Sequence, residues 1–432
     1  MISLISEKVE NRAKRIIIWL LIGGMITYVC QSIFSNFGLG FLPYILTVVS
    51  IILCLSIKTP HKKTNYVTLL FFGVGVLAFF ISLVLIKENQ VFVGVAGFLV
   101  MYVNTIVWCL LFSRLDRKEA ECAFDVFVKT FILLGCFVSI TGIYQTFVDR
   151  TILGFATNTL YSNEVEMSSG HYVIRATGIL GSAQNYGFLV GSSFATCLIY
   201  SGFKGYLKGA MLLVLLLGVL VSGSRSASAC LIIAIVYFVF SRLKYGKVKH
   251  TLIICWCLLI AIGLVAAVVL NEFDILGNST LGRLLDFSLS ESVKVYINTL
   301  GTITPVSIMA GNGIGYASWT VYQILGTADY MSAYGVPYSS VESYFLLLFV
   351  QSGLLGLFAL IVLFGVAFLK SWRLSQTSFV FLLSLFVNMV LTPSFSGMAI
   401  SFIGWLFVAY SLFCADSFKR PAEGRKWTKK VQ

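Results

Sequence analysis

Four charged residues stand where the chain could do chemistry: Arg175, Arg225, Arg283 and Glu342. Arg225 sits in SGSRSAS, between two apolar runs, where serine and glycine leave a guanidinium unshielded. Arg175 opens RATGILGSAQNYG just before another apolar run, and Arg283 opens a long polar stretch. Glu342 closes that stretch, beside Ser343. A guanidinium fork binds phosphate oxygens bidentately and stays charged at any working pH. Arginines gathered at the rim of a membrane bundle suit a pyrophosphate held at headgroup level. A carboxylate at the mouth of a low-dielectric cavity is a candidate general base, because burial strengthens its basicity. Glu342 has a second reading. Ser339-x-x-Glu342 before an apolar run has the form of a capping box, and a cap also fixes the rotamer of a base.

Other chemistries find no residues. There is no GxxxxGK[ST] segment and hence no P-loop. Gly311-Asn312-Gly313-Ile314-Gly315 lacks the strand–turn–helix setting of a dinucleotide loop and reads as a turn, although glycine backbone can approach a phosphate closely. No clustered carboxylates offer a metal site, and the three histidines are scattered, with His171 in a polar loop. Of the ten cysteines, all but Cys122 fall in apolar runs, so no disulfide-stapled polar domain is expected. Cys255-x-Cys257 has no partners to complete a metal tetrahedron.

The elements that must position these residues are membrane helices. The chain of 432 residues is 58% hydrophobic and 11% charged, against about 25% charge in a soluble domain. Twelve apolar runs approach the length that crosses a bilayer: 16–34, 41–57, 66–86, 91–112, 126–148, 186–202, 207–222, 227–241, 251–270, 342–369, 375–392 and 397–415. The first follows a basic segment without a small-residue cleavage site, and so reads as a retained helix. With the N-terminus inside, the outer segments hold only Lys87, Arg150, Arg175, Arg225, Arg283 and Lys294, while the remaining Lys and Arg, apart from Lys129 at a helix end, lie in inner segments. That asymmetry accounts for the net charge of +13 without any nucleic-acid partner, and it places both termini in the cytoplasm. The chain divides into 1–185, five spans with a first long outer loop; 186–270, the middle spans with the SGSRSA junction; 271–341, a large outer loop with an amphipathic stretch near Leu281–Leu300; and 342–432, three spans and a basic tail suited to anionic lipid headgroups.

SGSRSA at the start of a span, then Arg283, then GNGIG, then ESYFLLLFVQSGLLG entering the next span together resemble the O-antigen ligase and Wzy-type polysaccharide polymerase superfamily. In that superfamily an Arg–Thr/Ser-Gly segment leads to a Pro-Asn or similar pair before a middle span. Arg175, Gly178 and Asn185 look like that segment, with Ala183-Gln184 where proline is common. The ligases carry His-Asn, nine residues and Gly, and this chain carries Glu342-Ser343, nine residues and Gly353. The glycine spacing matches and the histidine does not, which argues against a lipid A ligase. The resemblance covers about residues 170–370.

The resemblance implies an all-α polytopic membrane fold, GT-C-like, with about twelve transmembrane helices and a large outer loop carrying short helices. It implies a glycosyltransferase that joins oligosaccharide repeat units carried on undecaprenyl pyrophosphate into capsule, exopolysaccharide or O-antigen at the outer face of the cytoplasmic membrane. Its partners would be lipid-linked substrates, membrane lipids, a flippase and a chain-length regulator. Glu342, Arg225 and Arg283 would then be catalytic, and Arg175, Asn185, Gly313, Gly315 and Ser343 would contact substrate. Pyrophosphate leaves readily, so the reaction needs cations on the departing oxygens and a base for the acceptor hydroxyl, with no cofactor and no metal. A transporter or flippase of lipid-linked oligosaccharide is the alternative. It explains many spans and outer cations, but it predicts charge at mid-span, where these runs carry almost none.

Overall fold

A computed structural model describes residues 2–56, 66–85, 95, 97–113, 115, 117–149, 151–152, 164–166, 172–174, 176–242, 305–314, 343–392 and 398–414. The run 251–270, the stretch near Leu281–Leu300, and Arg175, Arg283, Gly315 and Glu342 lie outside them, as do His171 and the basic tail. The helices are α1 (Ile2–Val29), α2 (Gln31–Asn36), α3 (Leu42–Ser56), α4 (Tyr66–Leu85), α5 (Asn104–Ser113), α6 (Arg117–Phe147), α7 (Ala183–Ile199), α8 (Gly205–Ser222), α9 (Arg225–Arg242), α10 (Pro305–Ala310), α11 (Tyr344–Leu374), α12 (Gln376–Leu391) and α13 (Met398–Cys414). A π-helical turn, Leu99–Val103, leads into α5. One element departs from the all-helical expectation: Glu164–Glu166 and Tyr172–Ile174 pair as a small antiparallel ribbon.

This is a helical membrane protein by composition and length. Tyr66–Val84, Lys118–Phe147, Gly205–Ser222 and Leu347–Trp372 are long and apolar enough to cross a bilayer, and the other large helices are shorter apolar segments. At its centre stands α13, buried at every position from Ala399 to Phe413. A helix apolar on all sides is stable only when neighbours cover all of it, or lipid does. Here neighbours do. Phe407 is stacked on Phe381 of α12 at 3.7 Å and meets Phe124, Phe127 and Phe131 of α6 edge-on, while Phe402 stacks on Tyr28 of α1.

Two features of the fold position the site. The first is a close parallel pair, α7 and α9. A Cβ on Gly187 would stand 2.4 Å from the Ser224 Cβ, and one on Gly191 would stand 3.0 Å from the Ala227 Cα. Gly187, Gly191 and Ala195 recur every four residues, the small-residue stripe that lets membrane helices approach backbone to backbone. Since α7 and α9 run in the same direction, their N-termini lie side by side.

The second is a fold-back in α11, where the sequence suggests one straight span. Gly353 has φ 64° and ψ −163°, and the helix reverses there. A Cβ on Gly356 would lie 2.3 Å from the Ser352 Cβ and 3.6 Å from the Leu348 Cγ. In a continuous helix, residues four apart hold their Cβ atoms about 5–6 Å apart. Phe345 and Phe368 both reach the Phe386 ring, at 5.4 and 6.0 Å, although a straight helix would separate them by about 34 Å. The element is therefore a helical hairpin. A short arm, 344–352, folds back along a long arm, 354–374, so that of the apolar stretch Leu347–Trp372 only the part in the long arm can cross hydrocarbon.

The reversal strips the Val350 and Gln351 carbonyls of their helical partners. The turn after α10 replaces them: the Asn312 N–H donates to Val350 O at 2.9 Å and the Gly313 N–H to Gln351 O at 3.0 Å. On its other side the Ile314 N–H donates to Ala78 O at 3.3 Å, and the Ser82 hydroxyl donates to Ile314 O at 2.8 Å. Irregular backbone within a membrane bundle persists only where its polar groups are satisfied in this way. GNGI is thus a turn, as its sequence suggests, and its function in the fold is to stitch the broken helix to α4.

Candidate functional site

The site is built from helix starts. α8 ends at Ser222, and Gly223, in the left-handed conformation at φ 53° and ψ 20°, turns the chain so that α9 begins at Arg225. The Ser224 and Ser226 hydroxyls pair at 2.8 Å, and the Ser228 N–H bonds to Ser224 O. Before α7, the Gln145 side chain at the end of α6 accepts from the Thr177 and Gly178 N–H groups at 2.8 and 2.9 Å, and the Ala176 N–H donates to Val221 O at the end of α8. These bonds tie the approach of α7 to the junction before α9. Ser182 then caps α7 by accepting from the Asn185 N–H.

α12 runs antiparallel to this pair and fixes the level of the third helix start. Phe381 of α12 meets Phe188 of α7, and Phe379 meets Tyr237 of α9. Ser384 lies against the Cys230 thiol. One turn further along both helices, Asn388 is therefore level with Ser226, in the first turn of α9. The next residue, Met389, accepts at its carbonyl from the Ser343 hydroxyl at 3.2 Å. Ser343 is the N-cap of α11. The starts of α7, α9 and α11 thus converge at the end of α12.

Each helix start carries the positive end of its dipole. The α7 and α9 starts lie side by side and the α11 start lies at the same level of α12; helix starts favour an anion, against the opposite dipole of the α8 and α12 ends at that level. The polar side chains around them are Asn185, Ser224, Ser226, Ser343, Asn388 and Thr392. Of the residues singled out from sequence, Asn185, the α9 start at Arg225, and Ser343 with the chain leading from Glu342 come to this one end. Gly313 does not: it stands at the far end of the short arm, with its amide donated to Gln351 O and its α-carbon pressed on Ser82.

Two further findings revise the sequence reading. α11 starts at Tyr344 with Ser343 as its cap, so Glu342 precedes the cap, and Ser339 and Glu342 do not form the first-turn box of this helix. Asn388 was not singled out from sequence. It is 1% exposed, and its Nδ2 has no hydrogen-bond partner among the described residues. The only sequence signal is the spacing Ser384, Asn388, Thr392, a polar stripe along an otherwise apolar helix.

The opposite end of the bundle carries a half-exposed polar cluster. The Tyr200 hydroxyl donates to the Asp125 carboxylate, which also pairs with Lys129 at 2.7 Å, and the Lys208 ammonium donates to Tyr200 O at 2.6 Å. Lys370 caps the end of α13 by donating to Leu412 O at 2.8 Å. Between the two ends lies the aromatic stack on α13. Among the described residues, no group of three or more His, Cys, Asp or Glu could hold a metal ion.

No protein-family model matches the chain, and no curated protein matches it.

Proposed function

We propose that this protein is a Wzy-type polymerase. It has twelve spans and both termini in the cytoplasm, and it joins repeat units carried on polyprenyl pyrophosphate at the outer face of the cytoplasmic membrane. The observation that carries this reading is the convergence of Asn185, the Arg225 helix start and Ser343, distant in sequence, on one end of the bundle. In the proposed reaction the convergent helix starts and Arg225 stabilise the pyrophosphate as it leaves. Arg175 and Arg283 supply further charge from the loops. Glu342, one residue before the α11 cap, takes the proton of the acceptor hydroxyl. Water exclusion by the apolar walls strengthens each of these interactions.

The fold-back of α11 is the one observation that favours a transporter or flippase, whose substrate sites are often built at broken helices. Transport also needs a polar path to the other side. Among the described residues the buried aromatic stack on α13 offers none, whereas an enzyme working at one face needs none.

The test is deletion of the gene in its own host, followed by analysis of lipid-linked saccharides. A polymerase loss leaves single repeat units on the carrier, open to an impermeant glycosidase from outside. Single units sheltered from that enzyme would instead point to a flippase, and unchanged polymer with no accumulated carrier would sink both readings.

A further inference from the structure

We infer that Gln145 is a positioning residue, whose buried amide oxygen sets the backbone that leads from Arg175 to the start of α7. It acts through Arg175, which lies outside the described residues; the role of Arg175 rests on the polymerase reading, and the clamp made by Gln145 does not.

The argument starts from a buried loop. Ala176, Thr177, Gly178 and Ile179 are all buried, although they only lead into α7. Connecting segments ordinarily run over the surface, because buried backbone groups need partners. Here one side chain supplies them. Gln145, 1% exposed near the end of α6, accepts from the Thr177 N–H at 2.8 Å and from the Gly178 N–H at 2.9 Å. Backbone N–H groups only donate, so the atom that the two share is the amide oxygen. The amide nitrogen is left for the Thr177 hydroxyl, at 3.1 Å. The Ala176 N–H, in the peptide that follows Arg175, donates to Val221 O at 3.1 Å, near the end of α8. Val221 stands four residues before Arg225.

The helices do not need this clamp to meet. α6 already lies against α7 through Gly135 on Ser193 and Gly142 on Tyr186, where a Cβ on either glycine would overlap the facing hydroxyl. α8 lies against both through Gly218, on Ser139 and Val190. What the clamp fixes is the path of the chain before α7. Gly178 turns that path at φ 51°, and a Cβ there would stand 2.9 Å from both the Thr141 hydroxyl and the Tyr186 ring, so the loop is packed tightly on that side. With Ala176 held to α8 and Thr177 and Gly178 held to α6, three consecutive amides are fixed directly after Arg175. A guanidinium on a long stem engages an oxyanion productively only when its backbone is held. A displacement of about 1 Å from a change far from the chemistry can cost roughly a hundredfold.

The test is a double-mutant cycle between Gln145 and Arg175 in the full-length protein. Gln145→Met keeps the length of the side chain and removes the acceptor, and Gln145→Ala serves should the methionine variant not fold. Gln145→Glu keeps an acceptor oxygen. Each is compared with Arg175→Ala and with the double variant, as polymer formed per inserted protein in cells and as thermal melting of the purified chain in detergent. Gln145→Met should lower polymer roughly tenfold in protein that stays folded and inserted, and Gln145→Glu should keep most of it. In the Arg175→Ala background Gln145→Met should lower polymer no further, because its effect runs through the missing arginine. A glutamine with a structural role alone would add its loss to that of Arg175→Ala. Additive losses, wild-type polymer in a folded Gln145→Met protein, wild-type polymer in Arg175→Ala, a Gln145→Glu loss as large as that of methionine, or failure of both Gln145→Met and Gln145→Ala to fold would each overturn the inference. Polymer unchanged on deletion of the gene removes the polymerase reading instead. The same variants are then compared for binding of inorganic diphosphate by the purified protein. The same non-additive pattern there keeps the positioning role of Gln145, and additive losses or no binding by the wild type remove it.

Discussion

Gly353 rests its bare α-carbon on the Met309 carbonyl: a Cβ there would stand 2.4 Å from both the carbonyl carbon and the oxygen. The contact is backbone on backbone, so neither side can yield by changing a rotamer. Gly311 meets Gln351 in the same way at 2.3 Å, and Gly313 meets Ser82 at 2.7 Å. All three glycines have positive φ. Conformation and close approach therefore demand the same residue at each, and together they hold the short arm of α11 against the turn after α10.

Gly353→Ala should accordingly be severe. Alanine is strained at φ 64°, ψ −163°, and its methyl overlaps the Met309 carbonyl. The expected loss is on the order of 3 kcal/mol or more, from backbone strain and overpacking combined. Gly365→Ala is the control. It lies in the long arm with nothing within 4 Å, and should raise stability by about 0.5–1 kcal/mol. Thermal melting of the two variants in detergent checks both; equal melting temperatures would mean that the fold-back does not depend on glycine.

The short arm is also held from its other side. The Tyr102 hydroxyl, in the π-helical turn, and the Ser352 hydroxyl pair at 2.5 Å, both buried. Tyr102→Phe and Ser352→Ala should each cost about 1–3 kcal/mol, because each leaves a buried hydroxyl alone. The double variant should cost less than the sum of the two. Additive losses by melting would show that the two hydroxyls act separately.

Within the described residues the apolar runs were legible as helices because their length follows from the bilayer. The α8–α9 break was legible because Gly223 between serines is turn chemistry. The fold-back was not. Residues 344–374 read as one apolar run, and the spacing that picks out Gly353 says nothing of a reversal; only the docking of a distant turn reveals it. The central place of α13 was hidden for a related reason, since a helix apolar on every side reads the same whether lipid or protein covers it. Of the site, Asn185, Arg225 and Ser343 carried signals in their local motifs. Asn388 carried only a helical spacing, and its level with the start of α9 is set by packing between helices far apart in the chain.

Arg225 is the first residue of α9, and the proposed reaction gives its guanidinium the departing pyrophosphate. Arg225→Lys keeps the charge and loses the fork, and should lower polymer formation; Arg225→Ala should lower it further, by roughly ten- to a hundredfold for one charge-assisted contact. Insertion and melting should be unchanged in both, because Gly223 and Ser224 shape the turn. Full polymer in cells carrying Arg225→Ala would remove this residue from the site.

Glu342 and Ser343 can be separated, since α11 starts at Tyr344 and its cap is Ser343. Ser343→Ala removes the bond to Met389 O and should cost about 0.5–1.5 kcal/mol, seen as a lower melting temperature. Glu342→Gln leaves that cap intact and keeps the side chain's size, but the amide cannot take a proton. As a base, Glu342 makes the glutamine variant inactive while folded and inserted, with single repeat units accumulating on the carrier. Glu342→Asp should retain part of the activity, limited by its shorter reach. Glu342→His is the more telling variant, because an imidazole also accepts a proton and the ligases of the resembling superfamily have histidine at the matching position. Partial activity in histidine with none in glutamine would tie function to proton transfer at this position rather than to charge. Wild-type polymer in Glu342→Gln would instead exclude the base role and turn attention to His171.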